Sequence, residues 1–154
     1  MVLWIDPDPP RNQATIEQMQ RACSSNVSVV SVSSSAEARS WLLRDAAAVR
    51  ALIAADRLRV ITNRYRKDDG DELAGVQWID WMRAKEQKQY HRVPVMLYCS
   101  QEMYSRVSGL HDPDKRRVVV VASEADAVRF GSFQTKFAQP GLLKSMGQRM
   151  RGAK

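Results

Sequence analysis

Polar residues capable of chemistry stand directly after apolar runs at four places in this chain: Asp6 and Asp8, Asn63 and Arg64, Cys99 and Ser100, and Ser123 and Glu124. The set holds carboxylates, an amide, a guanidinium, a thiol and hydroxyls, and what it does depends on whether the fold gathers the four places at one edge. Elsewhere the chemistry is thin. His91 precedes an apolar run in a basic stretch and His111 lies in a His-Asp-Pro-Asp turn; neither adjoins a serine or cysteine in a nucleophile motif, and both read as solvated. Gly70 and Gly75 lack the spacing of a phosphate-binding loop. Cys23 and Cys99 form neither a Cys-x-x-Cys pair nor a Cys/His cluster, so no metal set or disulfide framework is expected. Cys99 reads as a small buried residue, with a redox thiol as the alternative.

The elements that must position these residues follow from the apolar pattern. Val2 to Ile5, Val27 to Val32, Leu58 to Thr62, Val93 to Tyr98 and Val118 to Ala122 are short runs without strict alternation. Such runs are strands covered on both faces, as in a parallel sheet between helices. Helix-prone segments separate them, giving five β-α repeats. The first helix is expected from Pro9 and Pro10 through Ile16 and Met19 to Cys23, since proline suits a first turn. Ser33 to Ser35 offer an N-cap to the second, with Glu37 in its first turn. The stretch onward to Asp56 is too long for one ordinary helix, so two helices or a bend near Asp45 are expected. A third helix, about Glu72 to Lys85, places Val76, Ile79 and Met82 on one face and Trp81 nearly opposite, which predicts an exposed Trp81. A short helix follows over Gln101 to Val107. In the last one Phe130, Phe133 and Phe137 form an apolar stripe read as core, and Gln139-Pro140-Gly141 should stop it. Leu142, Leu143, Met146 and Met150 then share a face amid Lys144, Arg149, Arg151 and Lys154, a basic amphipathic tail or linker.

The 154 residues are 44% hydrophobic, enough for one domain with its own core. Val2 to Ile5 is too short for a signal-peptide core, and no run reaches the roughly 18 to 20 apolar residues of a membrane span. With two cysteines this favours a soluble protein in a reducing, cytoplasmic setting. A net charge of +7 raises the expectation of an acidic partner or nucleic acid. The local concentrations are Arg64, Arg66 and Lys67, then Lys115, Arg116 and Arg117, then the tail; a solvated surface is the plainer reading of each.

In an open parallel sheet, ligands gather beyond the carboxyl ends of the strands, where the four polar sites fall. There the sequence resembles the response-regulator receiver. Residues 2–12, Val-Leu-Trp-Ile-Asp-Pro-Asp-Pro-Pro-Arg-Asn, are similar to the receiver opening whose terminal acids hold magnesium. Residues 59–64, Arg-Val-Ile-Thr-Asn-Arg, are similar to the strand delivering the phosphoacceptor aspartate. Gly75 to Arg83 resembles the helix after it, and residues 93–100, Val-Pro-Val-Met-Leu-Tyr-Cys-Ser, the fourth strand with its terminal hydroxyl. The likeness spans about residues 1–137.

Carried over position by position, the resemblance implies a dismantled phosphorylation site. Asp6 matches the first metal-site acid, Pro7 stands where the second belongs, and Asp8 lies one position late. Asn63 stands in the phosphoacceptor position, and an amide is a poor nucleophile with no charge for magnesium. Cys99 matches the switch hydroxyl, with Ser100 as a replacement next door. The family's lysine belongs near Ala122, yet no lysine occurs between Arg117 and Lys136. For Asp6, capping a loop or helix start is the alternative to residual metal binding.

The expected fold is α/β: a doubly wound five-stranded parallel sheet in a flavodoxin-like, receiver-like three-layer α-β-α sandwich. Residues 1–138 form the domain and 139–154 the tail. The expected function is that of a degenerate pseudo-receiver: a regulatory protein-interaction module independent of phosphorylation, not an enzyme, with neither cofactor nor metal. Its degenerate pocket is Asp6, Asp8, Asn63, Cys99 and Ser100. Trp81, Arg64, Arg66, Lys67, Lys115, Arg116 and Arg117 are its candidate contact residues, Trp81 because an exposed tryptophan is a typical interface anchor. The partner is a protein, a homodimer remains open, and the alternative is nucleic acid bound by residues 64–67, 115–117 and the tail. An enzyme on this architecture, like the nicotinamide-dinucleotide-cleaving Toll/interleukin receptor-like domains, would need Glu72 or Glu102 as its acid, and nothing around either supports that.

Overall fold

Each of the five apolar runs forms a strand, and every strand pairs in parallel with its neighbours: β1 (Val2–Ile5), β2 (Val29–Val32), β3 (Arg59–Asn63), β4 (Val95–Tyr98) and β5 (Val118–Val121). The computed structural model describes residues 1–23, 26–65 and 73–137. The sheet order is β2-β1-β3-β4-β5, which reverses direction beside β1 and opens a crevice between the ends of β1 and β3. Register is even across it: Ile5 faces Val32 and Thr62, and Asn63 faces Tyr98.

Both faces of the sheet are covered, which is why its strands read as unbroken apolar runs. Side chains alternate along each strand, so Leu3, Ile5, Val60, Val95 and Leu97 join one core while Val2, Trp4, Ile61 and Met96 join the other. The first core is closed by α2 (Ser35–Arg44), α3 (Ala46–Ala54), α4 (Ala74–Arg83) and α5 (Gln101–Val107); the second by α1 (Gln13–Ala22) and α6 (Glu124–Gly131). On that second side Met19 of α1 packs so tightly on α6 that a Cβ at Gly131 would lie 2.2 Å from its sulfur.

Local chemistry sets the helix boundaries. Pro9–Asn12 is a 3-10 turn leading into α1. Ser34 caps α2 by accepting from the Glu37 amide at 3.2 Å, and Glu37 reaches back to the Ser33 amide at 2.8 Å, satisfying donors that a helix start leaves open. The long alanine-rich stretch is two helices, broken at Asp45, whose carboxylate accepts from the Ala48 amide at 3.0 Å to start α3.

The sequence expectation needs two corrections here. The last helix ends at Gly131 instead of continuing to Phe137, because Phe133 turns into the left-handed region at φ 64°. The three phenylalanines nevertheless converge, on the Arg59 guanidinium, which lies 5.1, 4.3 and 5.4 Å from the rings of Phe130, Phe133 and Phe137. That guanidinium donates to the carbonyls of Phe130 at 2.5 Å and Thr135 at 2.7 Å. It thereby clamps the chain leaving α6 across the amino-terminal edge of the sheet. A left-handed phenylalanine costs about 1–2 kcal/mol, which the clamp offsets. The second correction is Trp81, which is half-buried. Its ring lies 4.9 Å from that of Trp78 and 5.5 Å from that of Tyr90, beneath the Arg39 guanidinium at 5.0 Å. Gln139-Pro140-Gly141 and the tail lie outside the described residues. Among those described, no helix is long and apolar enough to cross a membrane.

Candidate functional site

The four polar strand ends meet. A cleft of about 720 Å³ opens at the carboxyl edge of the sheet, lined among others by Asp6, Asp8, Asn63, Arg64, Cys99, Ser100 and Glu124. Strand geometry explains the convergence: with all strands parallel, every residue that ends one is delivered to the same edge.

At the end of β1, Asp6 is 5% exposed, and its Oδ1 accepts from the Asp8 amide at 2.8 Å. The side chain thus turns the chain toward the Pro9–Asn12 segment. Asp8 itself is exposed. At the end of β3, Asn63 is half-buried, and the Arg64 amide donates to the Tyr98 carbonyl at 3.1 Å. The start of α4 is pressed on this strand end: a Cβ at Gly75 would sit 2.3 Å from the Asn63 carbonyl oxygen, and the Gly75 amide donates to the Arg64 carbonyl at 2.9 Å. Only glycine permits so close an approach.

At the end of β4, the Cys99 thiol points to the Val121 carbonyl at 3.6 Å. Burial pushes its pKa up, against a smaller downward pull from Arg64. It is therefore a thiol and not a ready thiolate at neutral pH, and the buried-residue reading fits better than a redox one. Ser100 is exposed and begins α5 without a side-chain cap bond. At the end of β5, Ala122 lines the cleft, Ser123 caps α6 by accepting from the Asp126 amide at 3.2 Å, and Glu124 accepts from the Thr15 hydroxyl, tying α6 to α1.

The donor set does not fit a divalent cation. One oxygen of Asp6 already serves the Asp8 amide, Asn63 is neutral, and two arginines, Arg11 and Arg64, line the same cleft. Hard cations need several anionic or carbonyl oxygens at once, and among the described residues no group of three or more acids, histidines or cysteines converges.

Among the described residues, the candidate contact residues do not form one surface. Arg64 lines the cleft, whereas Arg66 and Lys67 lie outside the described residues. Lys115 is exposed at the opposite edge of the sheet. Beside it Arg116 pairs with Asp80 at 3.4 Å, and its carbonyl accepts from Arg83 at 2.8 Å. Arg117 must be corrected outright: it is 5% exposed, salt-bridged to Asp56 at 2.7 Å, and holds structure instead of facing a partner. The histidines are likewise not free. His91 Nε2 lies 2.9 Å from the Ala84 carbonyl, and His111 Nδ1 accepts from the Val120 amide at 3.2 Å.

Residue typing missed Trp4, Arg11, Asn12 and Thr15, which also line the cleft. Asn12 behind two prolines was the available signal; Trp4 reads from sequence as one more core residue.

No protein-family model matches the chain, and no curated protein does. Two solved structures do. A response regulator receiver domain from Rhodospirillum rubrum superposes with a TM-score of 0.55 at 18% identity, covering 88% of this chain and 95% of that one. The bacteriophytochrome response regulator RtBRR superposes with a TM-score of 0.56 at 18% identity, covering 96% of this chain and 89% of its own. At that identity the likeness is one of fold, and in fold this chain is a response-regulator receiver-like α/β domain.

Proposed function

We propose that this domain is a non-enzymatic regulatory module that recognises a protein partner and works without phosphorylation of its β3 end. The observation that carries the reading is Asn63 at that end, lining the cleft. Forming an acyl phosphate needs a carboxylate nucleophile, a metal to neutralise the phosphoryl oxygens and a cation to read the product. Here the first is an amide, the Asp6 carboxylate is turned onto the Asp8 amide, and Ala122 follows β5 where a lysine would be needed. The receiver-like fold supports a signalling role, since what remains after the chemistry is removed is a surface.

The test is titration of the chain with magnesium and beryllofluoride, a phosphoryl mimic, followed by tryptophan fluorescence and amide NMR. No saturable change at Asp6, Asn63 and Cys99 is expected. Saturable, magnesium-dependent shifts there would overturn the reading. Nucleic acid is the weaker alternative, because Arg117 is buried and Arg116 is paired, leaving Lys115 as the cation of that cluster outside an ion pair among the described residues.

A further inference from the structure

Among the described residues, the chain closes one edge of its sheet and leaves the other open. On the outer side of β5 the Asp112 amide donates to the Val118 carbonyl at 2.9 Å, the Val118 amide donates back at 3.1 Å, and the Val120 amide donates to His111 Nδ1 at 3.2 Å. β2 forms the opposite edge and pairs with β1 alone. The Val2 amide donates to the Ser28 carbonyl and the Asp6 amide to that of Val32. The even-numbered peptide groups of β2 therefore face β1, and those of Val29, Ser31 and Ser33 face away from it. Side chains take up the two ends of that outer row: Gln20 Nε2 donates to the Val27 carbonyl at 3.3 Å, and the Ser33 amide donates to the Glu37 carboxylate at 2.8 Å. Between them, the amides and carbonyls of Val29 and Ser31 have no partner among the described residues.

Open edges are normally guarded by lysine, proline or a bulge. None of these guards β2. Ala22 to Ala36 is the longest stretch of the chain without a charged residue, it holds no proline, and from Val27 to Ser35 every residue is valine or serine. The register with β1 is continuous over the strand, without a bulge.

The same groups suit a second copy of the chain. Two copies that each carry a net charge of +7 repel, so they meet most readily where neither presents charge. Antiparallel pairing about a two-fold axis at Val30 sets Val29 of each copy opposite Ser31 of the other, and each couple exchanges both backbone bonds. Together the two couples use every open amide and carbonyl. Val30 meets its own counterpart on the face where Val30, Val32 and Trp41 are partly buried against the core. In that register Val27 comes opposite Ser33 of the other copy, which brings the Gln20 amide beside the Glu37 carboxylate, a donor to an acceptor.

We infer that this chain forms a reversible homodimer in which two β2 strands pair antiparallel and join the two sheets into one. The contact is short, so the dimer dissociates on dilution. The inference goes beyond the phosphorylation-independent regulatory reading and does not rest on it, since neither Asn63 nor the cleft takes part.

The experiment uses the full chain, labelled with nitrogen-15, from about 10 µM to about 1 mM at fixed ionic strength, a range that brackets a dissociation constant of about 100 µM. In sedimentation equilibrium the mass is expected to rise from that of the 17.5 kDa chain toward twice that value. Hydrogen exchange at the Val29 and Ser31 amides should slow about fourfold across the range, following the loss of free monomer, and concentration-dependent amide shifts should centre on residues 27–33. Ser31→Lys, a change at an exposed position, places like charges on the paired strands of both copies and should weaken association about tenfold. A chain that stays monomeric at 1 mM would leave the edge to a strand of another protein and overturn the second-copy assignment. A dimer whose Val29 and Ser31 amides exchange as fast as in the monomer, or one that Ser31→Lys leaves equally strong, would overturn it too. The wild-type mass and exchange can refute the inference without any variant, so the outcome does not depend on how well Ser31→Lys folds.

Discussion

Replacing Arg59 by methionine tests whether the buried guanidinium holds the end of the domain together. The change keeps an unbranched chain of similar length and removes the charge and the donors. Two charge-assisted hydrogen bonds to the carbonyls of Phe130 and Thr135 are lost, worth about 1.5–3 kcal/mol each, together with a desolvated cation–π contact of about 2 kcal/mol. Against this stands the cost of burying the charge. Desolvation, opposed by Asp56 and reinforced by Arg117, lowers the Arg59 pKa to about 10, equivalent to about 3 kcal/mol, while leaving it charged at pH 7. The balance predicts a net loss of about 2–5 kcal/mol. In urea unfolding followed by tryptophan fluorescence, the midpoint should fall by about 1–2.5 M with an unchanged slope. Amide exchange over residues 132–137 should quicken more than in the strands, since their local anchor is gone. A variant within about 0.5 kcal/mol of the parent, or a stabler one, would show that desolvation cancels the bonds, as happens in some buried ion networks. The clamp would then be incidental.

Two further outcomes follow from other parts of the fold. Trp81→Ala should cost about 2 kcal/mol in the same urea assay, because the ring is stacked between Trp78, Tyr90 and Arg39; a loss below about 0.5 kcal/mol would return it to the surface. Burial raises the Cys99 pKa above its ordinary 9.0. Between the two values the folded state keeps a proton that the unfolded chain has lost, so this thiol's contribution is intact below pH 9 and stability falls as pH rises through that window. A Cys99→Ala variant should show a flatter alkaline limb in its stability profile, and an unchanged limb would assign the fall to other groups.

The strands and their convergence were legible in the sequence because a sheet covered on both faces writes itself as continuous apolar runs. With five such runs in β-α alternation, Asp6, Asn63, Cys99 and Glu124 had to reach one edge. The break at Asp45 was legible for a similar local reason, since a side chain that caps a helix start is a neighbour in sequence. What failed were contacts between distant segments. A helical projection ranks Trp81 against the core face of its own helix, but its cover comes from Arg39 on α2 and from Tyr90 beyond a chain reversal. The spacing of Phe130, Phe133 and Phe137 correctly marks three rings that belong together. It cannot show that they gather on a guanidinium 71 residues away from the first of them, for which a left-handed turn serves better than another helical one. Trp4 and Asn12, whose side-chain nitrogens are buried without a hydrogen-bond partner among the described residues, were hidden for the complementary reason: an unmatched hydrogen bond has no spacing.

The clamp on Arg59 also fixes where the domain hands on its chain. Arg59 begins β3 and Arg117 directly precedes β5, and the guanidinium of each lies within 5.5 Å of the Phe137 ring, so the polypeptide passes residue 137 at the amino-terminal edge of the sheet. The cleft lies at the other edge, roughly 13–16 Å away along strands of four or five residues. A change at the cleft that is felt at residue 137 has to cross the strands and the two cores packed on them, so the side chains that cover the sheet connect its two edges as well as support them.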